Sequence, residues 1–153
     1  MSSIFSKIRR NYISGNKVTR LIYINISFFV FYKILVMSEF LGSDSGIYEE
    51  ETQILYFIKK YLFLPADTSL FLSKPWTLIT YMFIHIDLLH ILFNLIWLYF
   101  GSQLFLRYLN QRQLYTTYIL GGICGGLFFM VSYNLFPVFK ESVSEATAIG
   151  ASA

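Results

Sequence analysis

Charge is scarce in this sequence, and cysteine and histidine are scarcer still. Only 14% of the 153 residues are charged, while 56% are hydrophobic and the mean hydropathy is +0.55. A soluble domain carries roughly 25% charged residues, so the deficit excludes an ordinary water-soluble domain. The single cysteine, Cys124, excludes an internal disulfide and has no metal-type spacing; in its apolar stretch it reads as a small packing residue. The only two histidines are His85 and His90, five positions apart with no glutamate between them. A zinc-protease helix needs H-E-x-x-H, and residues five apart on a straight helix diverge by roughly 140°. Metal and haem readings are therefore weak, and neither a metal nor an organic cofactor is expected.

Abundant instead are aromatic residues, at 20%, and three long apolar segments. Tyr and Phe dominate the aromatics, which suits a bilayer protein with many interfacial rings. The segments run from about Leu21 to Met37, Asp87 to Leu106 and Leu114 to Phe136. A helix needs roughly 20 apolar residues to cross the hydrocarbon, which the second and third meet and the first approaches. No A-x-A site follows the first, so it reads as a span and not as a cleaved signal.

Charge distribution orients these spans. Lys7, Arg9, Arg10, Lys17 and Arg20 precede the first without an intervening acid, and Arg107 and Arg112 sit alone between the second and third. The acids Glu39, Asp44, Glu49, Glu50, Glu51 and Asp67 follow the first span, and Glu141 and Glu145 follow the third. The positive-inside rule predicts a cytoplasmic N-terminus and a cytoplasmic Arg107–Arg112 loop. Residues 1–20 then form a cytoplasmic segment and residues 21–153 a membrane domain.

The loop between the first two spans begins with a solvated acidic turn, Gly42–Glu51. In Thr52–Pro65, however, Ile54, Leu55, Ile58, Tyr61 and Leu62 recur at helical spacing beside Lys59 and Lys60. This pattern predicts a short amphipathic helix lying flat in the outer interface. Pro75-Trp76 marks a break, with Trp76 suited to the headgroup level, and Thr77–Ile86 dips into the protein. Asp87 is placed to N-cap the second span. In the third span, Gly121, Gly122, Gly125 and Gly126 form two interleaved small-xxx-small pairs that admit the close approach of another helix. The chain leaves the membrane near Pro137 and is expected to re-enter at Ala146, beginning a fourth span.

Asn94 lies one turn below His90 on the same face. Polar groups inside a membrane are costly and usually face a cavity or a partner. This cluster either satisfies backbone groups of the preceding loop or does chemistry. Gly150-Ala151-Ser152 is common by chance, but an inward-running fourth span sets Ser152 at its outer end, at the depth of His90 and Asn94. A helix N-terminus also offers N–H groups and a positive dipole end to an oxyanion.

Pro75-Trp76-Thr77, followed by Thr80, Phe83, His85, His90, Asn94 and Gly101, resembles the loop and second helix of the rhomboid family of intramembrane serine proteases. With Gly150-Ala151-Ser152, the resemblance spans roughly Leu21 to Ala153. It implies an all-α polytopic bundle, here three complete spans plus the start of a fourth, with an interfacial helix in the first loop. It implies Ser152 as nucleophile, His90 and Asn94 as oxyanion ligands, and His85 as a supporting pocket residue. Two positions depart from the family: Ala153 stands where glycine is usual, and Phe105 where a glutamate is frequent. The family's general base is a histidine on a sixth helix, so the 153 residues are expected to be an incomplete rhomboid-like domain, inactive alone. The implied activity is serine-type endoproteolysis of single-span membrane proteins near the outer membrane face. The expected partners are transmembrane substrates and the lipid bilayer, with no nucleic acid, and the natural setting is a bacterial inner membrane. The alternatives are a pseudoprotease that binds membrane helices without cutting, and a small transporter or channel.

Overall fold

The computed structural model describes residues 17–42 and 53–150; the expected acidic turn at 42–51, apart from Gly42, and Ser152 itself lie outside them. Three helices are long and apolar enough to cross a membrane: α1 (Lys17–Gly42), α5 (Leu88–Phe105) and α6 (Gln111–Leu135). At 1.5 Å per residue the shortest of these, α5, spans about 27 Å and matches a hydrocarbon core of roughly 30 Å. The outward faces carry Phe31, Ile34, Trp97, Phe100, Phe128 and Leu135, all largely exposed, while Asn25, Thr77, His85 and Ser102 are buried. Apolar outside with a few polar groups inside is the arrangement hydrocarbon solvent favours.

α1 packs against both α5 and α6. The five residues between α5 and α6 turn the chain within a capping box. Asn110 accepts from the Gln113 backbone N–H at 2.9 Å, and Gln113 accepts from the Asn110 N–H at 3.0 Å. Asp87 has the extended backbone of an N-cap residue, but its carboxylate makes no capping bond. The acid that does cap by this means is Asp67, which accepts from Ser69 and Leu70 at the start of α3 (Thr68–Ser73).

The predicted amphipathic helix is α2 (Gln53–Leu62). Ile58 is buried and Ile54, Leu55 and Leu62 half-buried, while Lys59, Lys60 and Tyr61 face outward. Glu39 of α1 closes its N-terminus, accepting from the Gln53 and Ile54 amides at 2.7 and 3.1 Å. Its C-terminus presents unpaired carbonyls, as every helix end does. Three of them are met by the segment after the Pro75 break. Lys74 donates to Lys60, Trp76 Nε1 to Tyr61 and Thr80 to Leu62, at 2.9, 2.9 and 2.8 Å. The loop is thereby fastened as one block.

That block enters the protein through α4 (Thr77–Thr80) and a 3-10 turn, Tyr81–Phe83. Thr77, Tyr81, Met82, Ile84 and His85 are buried, and Tyr81 and Met82 join Leu64, Met130 and Ala148 in one core cluster. α6 receives the block at its glycines. A Cβ on Gly122 would collide with the Met82 side chain, and one on Gly126 would lie 2.8 Å from Leu64 and 2.9 Å from Leu78. Among the described residues, the close approach is made by Leu64, Leu78 and Met82 of the loop block, where the glycine spacing suggested another helix. Gly121 has nothing within 4 Å of a Cβ position. Cys124, expected to pack, is exposed on α6, because the packed side of that helix runs through Gly122, Gly126 and Met130.

Beyond α6 the chain forms a 3-10 segment, Pro137–Ser142, and then a strand, β2 (Thr147–Ala148). β2 pairs antiparallel with β1 (Leu64–Pro65), Leu64 opposite Ala148 and Pro65 opposite Thr147. Asn134, near the end of α6, donates to the Ala66 carbonyl at 2.8 Å and ties the same corner. The re-entry expected as helix from Ala146 thus proceeds as extended chain as far as Gly150.

Candidate functional site

The polar residues singled out in sequence meet where the loop block joins α5. α5 begins only at Leu88, so His85 lies in the extended segment before it, not on the helix that carries His90. The divergence of roughly 140° expected for a straight helix does not apply. The two imidazoles meet edge to face with centroids 5.0 Å apart. Asn94, on the same face of α5 as His90, reaches back to His85, with Nδ2 2.8 Å from His85 Nε2.

Hydrogen-bond chemistry assigns the His85 tautomer. Nδ1 lies 3.4 Å from the Phe83 carbonyl, which can only accept, so Nδ1 carries the proton. Nε2 then holds a lone pair and accepts from Asn94. Burial, with the nearby His90 adding to it, holds the His85 imidazole down to about 4, so the ring is neutral near pH 7. An amide NH₂ has two donors, and His85 takes one of them. On its far side Asn94 borders a cavity of about 20 Å³ shared with Asn25 and Tyr118.

Gly150 closes the cluster. Its φ of +77° is a left-handed conformation that glycine adopts freely and other residues adopt at a cost. A Cβ there would sit 2.7 Å from His90 Nε2 and 3.2 Å from Asn94 Nδ2. Two independent constraints therefore demand glycine. The Gly150 amide donates to the Tyr81 carbonyl at 2.7 Å, while the Tyr81 hydroxyl donates to the Gly122 carbonyl at 2.6 Å. Tyr81, 1% exposed, thus links α6 to the segment that brings Gly150 against α5.

Three of the four anticipated polar residues lie in or beside this cluster, and the fourth, Ser152, falls two residues past the last described position. Sequence reasoning missed Tyr81. Its one local signal was its place in the Thr77–Ile86 run expected to dip inward; both of its partners are more than forty positions away.

His90 Nε2 and Asn94 Nδ2 both border the position that a Cβ on Gly150 would fill, so two nitrogens face one spot in a partly buried setting. No curated protein and no solved structure matches the chain. The family model for the Rhomboid domain matches residues 72–153, from the loop block through α5 and α6 to the last residue, which is more than half of the chain. With its three apolar helices, the protein is an integral, multi-pass membrane protein and belongs to the rhomboid family of intramembrane proteases and pseudoproteases.

Proposed function

We propose that the protein is a serine-type intramembrane endopeptidase whose nucleophile is Ser152. The observation that carries this reading is the seating of Gly150, two residues before Ser152, against His90 Nε2 and Asn94 Nδ2. The Gly150–Tyr81 hydrogen bond holds Gly150 in that position.

In the proposed reaction, Ser152 Oγ attacks a peptide carbonyl carbon and its proton passes to a general base. The carbonyl oxygen becomes an oxyanion that accepts from His90 and from the Asn94 N–H not engaged by His85. Removing one such donor typically costs about 10²–10³ in rate. On collapse the base returns that proton to the leaving nitrogen, the C–N bond breaks to release the amine, and an acyl-serine remains, which water hydrolyses to the carboxylic acid and free Ser152. His85 orients Asn94 and is not the base, since its Nε2 lone pair is engaged and its basicity is low. The family resemblance assigns the base to a histidine of a later helix.

The fitting substrates are single-span membrane proteins cut near the outer face, because a backbone carbonyl inside a formed helix is shielded from Ser152 until the helix opens. The charge pattern supports a cytoplasmic segment 1–20 and a membrane domain 21–153, and the setting proposed is a bacterial inner membrane. The test uses the protein expressed from its own gene with a single-span reporter substrate. Cleavage by the wild type, abolished in Ser152→Ala with assembly unchanged, is the expected result. Reporter binding without cleavage by the wild type would instead assign the protein to the pseudoproteases.

A further inference from the structure

The loop block carries a second feature that the proteolytic reading does not use. α2, the Pro65–Lys74 segment and residues 144–147 enclose an open cavity of about 490 Å³. This lies within the range of small-molecule sites, roughly 300–1,000 Å³. We propose that this cavity binds the phosphate headgroup of an anionic phospholipid.

The first argument is charge held in place. Among the described residues, Lys59, Lys60 and Lys74 line the cavity against one acid, Glu145. Lys74 is anchored by its 2.9 Å bond to the Lys60 carbonyl, and its ammonium lies 5.4 Å from the Tyr61 ring centroid. Lys60 sits 5.7 Å from the rings of both Tyr56 and Tyr61. These rings and this carbonyl restrain the ammonium groups of two residues that line one cavity, so a phosphate bound between them would immobilise less side-chain freedom than one bound by free lysines.

The second argument selects a lipid over free phosphate. Phe63, Pro65 and Leu70 supply apolar wall that a dissolved anion has no use for. Tyr56, Phe57, Tyr61 and Trp76 are exposed around it, the amphipathic aromatic dressing of a segment at the headgroup level. Lysines in such a belt lay their stems along apolar surface and present the ammonium to phosphate.

The experiment is native mass spectrometry of the full chain, released from mixed micelles with equimolar phosphatidylglycerol and phosphatidylcholine. Both lipids carry the phosphate; only the first is anionic. A lysine near an anionic surface contributes about fivefold to partitioning, so two predict a preference of roughly 25-fold for phosphatidylglycerol. That preference falls to parity in Lys60→Gln/Lys74→Gln and persists in Lys60→Arg/Lys74→Arg. Equal retention of both lipids by the wild type, or an unchanged preference in the glutamine variant, overturns the proposal. Displacement of bound phosphatidylglycerol by millimolar inorganic phosphate overturns the assignment to lipid. Should the glutamine variant fail to fold, the wild-type ratio and the arginine variant still decide. None of these readouts depends on proteolysis, so the proposal stands or falls apart from the assignment of Ser152.

Discussion

His85 makes folding stability depend on pH in a window where most side chains are silent. Its imidazole is held down to about 4 in the folded protein from an ordinary 6.5, first by burial and then by the neighbouring His90. Between those values the unfolded chain binds a proton that the folded chain refuses, so stability must fall as pH is lowered through the window. The loss is about 2 kcal/mol by pH 5 and about 3 kcal/mol by pH 4, where it levels off as the folded ring begins to protonate. Two geometric facts stand behind the figure: the side chain is 1% exposed, and its Nε2 already accepts from Asn94. Protonation would set N–H against N–H across 2.8 Å. The assay is unfolding of the purified protein in mild detergent from pH 7.5 to 4, wild type beside His85→Gln. The variant removes this titration while the carboxylates stay common to both, so the difference between the two curves isolates His85. A difference curve flat from pH 7 to 4.5, or a ring resonance titrating near 6.5, would refute the reasoning.

Four substitutions test the remaining contacts. Gly150→Ala places a methyl 2.7 Å from His90 Nε2 and imposes a left-handed conformation on an L-residue. It should cost about 1–3 kcal/mol locally and reduce reporter cleavage at least tenfold; full activity would count against the site. Gly122→Ala drives a methyl into Met82 and should destabilise by about 1–3 kcal/mol. The adjacent Gly121→Ala meets nothing and should be neutral or slightly stabilising, so equal melting temperatures for the pair would refute the packing described for α6. Asn94→Ala leaves His85 Nε2 without its donor and removes a proposed oxyanion ligand. Cleavage should drop about 10²–10³-fold with a stability loss of about 1–3 kcal/mol, and a variant with an unaltered rate would assign Asn94 to structure alone.

What could be read in the sequence follows from the solvent each part faces. α1, α5 and α6 were legible because hydrocarbon demands long uninterrupted apolar runs, and α2 because its buried face repeats at helical spacing. The pairing of Leu64 with Ala148 was not legible, since two-residue strands have no periodicity and their partners stand more than eighty positions apart. Separation of more than forty positions likewise hid Tyr81, whose hydroxyl and carbonyl serve α6 and Gly150 at once. The glycines of α6 announced a close approach by their spacing, but only the fold determines what approaches. Asp87 shows the limit of a local rule: its position is that of a cap, yet its side chain caps nothing.

The candidate site lies between these cases. His90 and Asn94 share a face because both ride α5, so their proximity is a property of helix geometry and is visible in spacing alone. His85 joins them only because α5 starts at Leu88 and leaves His85 in extended chain, a boundary on which the inferred relation of the two imidazoles turns. Gly150 then supplies what no short motif states. A G-x-S tripeptide is consistent with many conformations, whereas a φ of +77° and a missing Cβ facing His90 and Asn94 are consistent with few. The loop block that imposes this geometry is itself held by Lys74, Trp76 and Thr80 on the carbonyls ending α2. The Pro75-Trp76-Thr77 region therefore contributes to the site through position, and substitutions there should disturb Gly150 without touching either histidine.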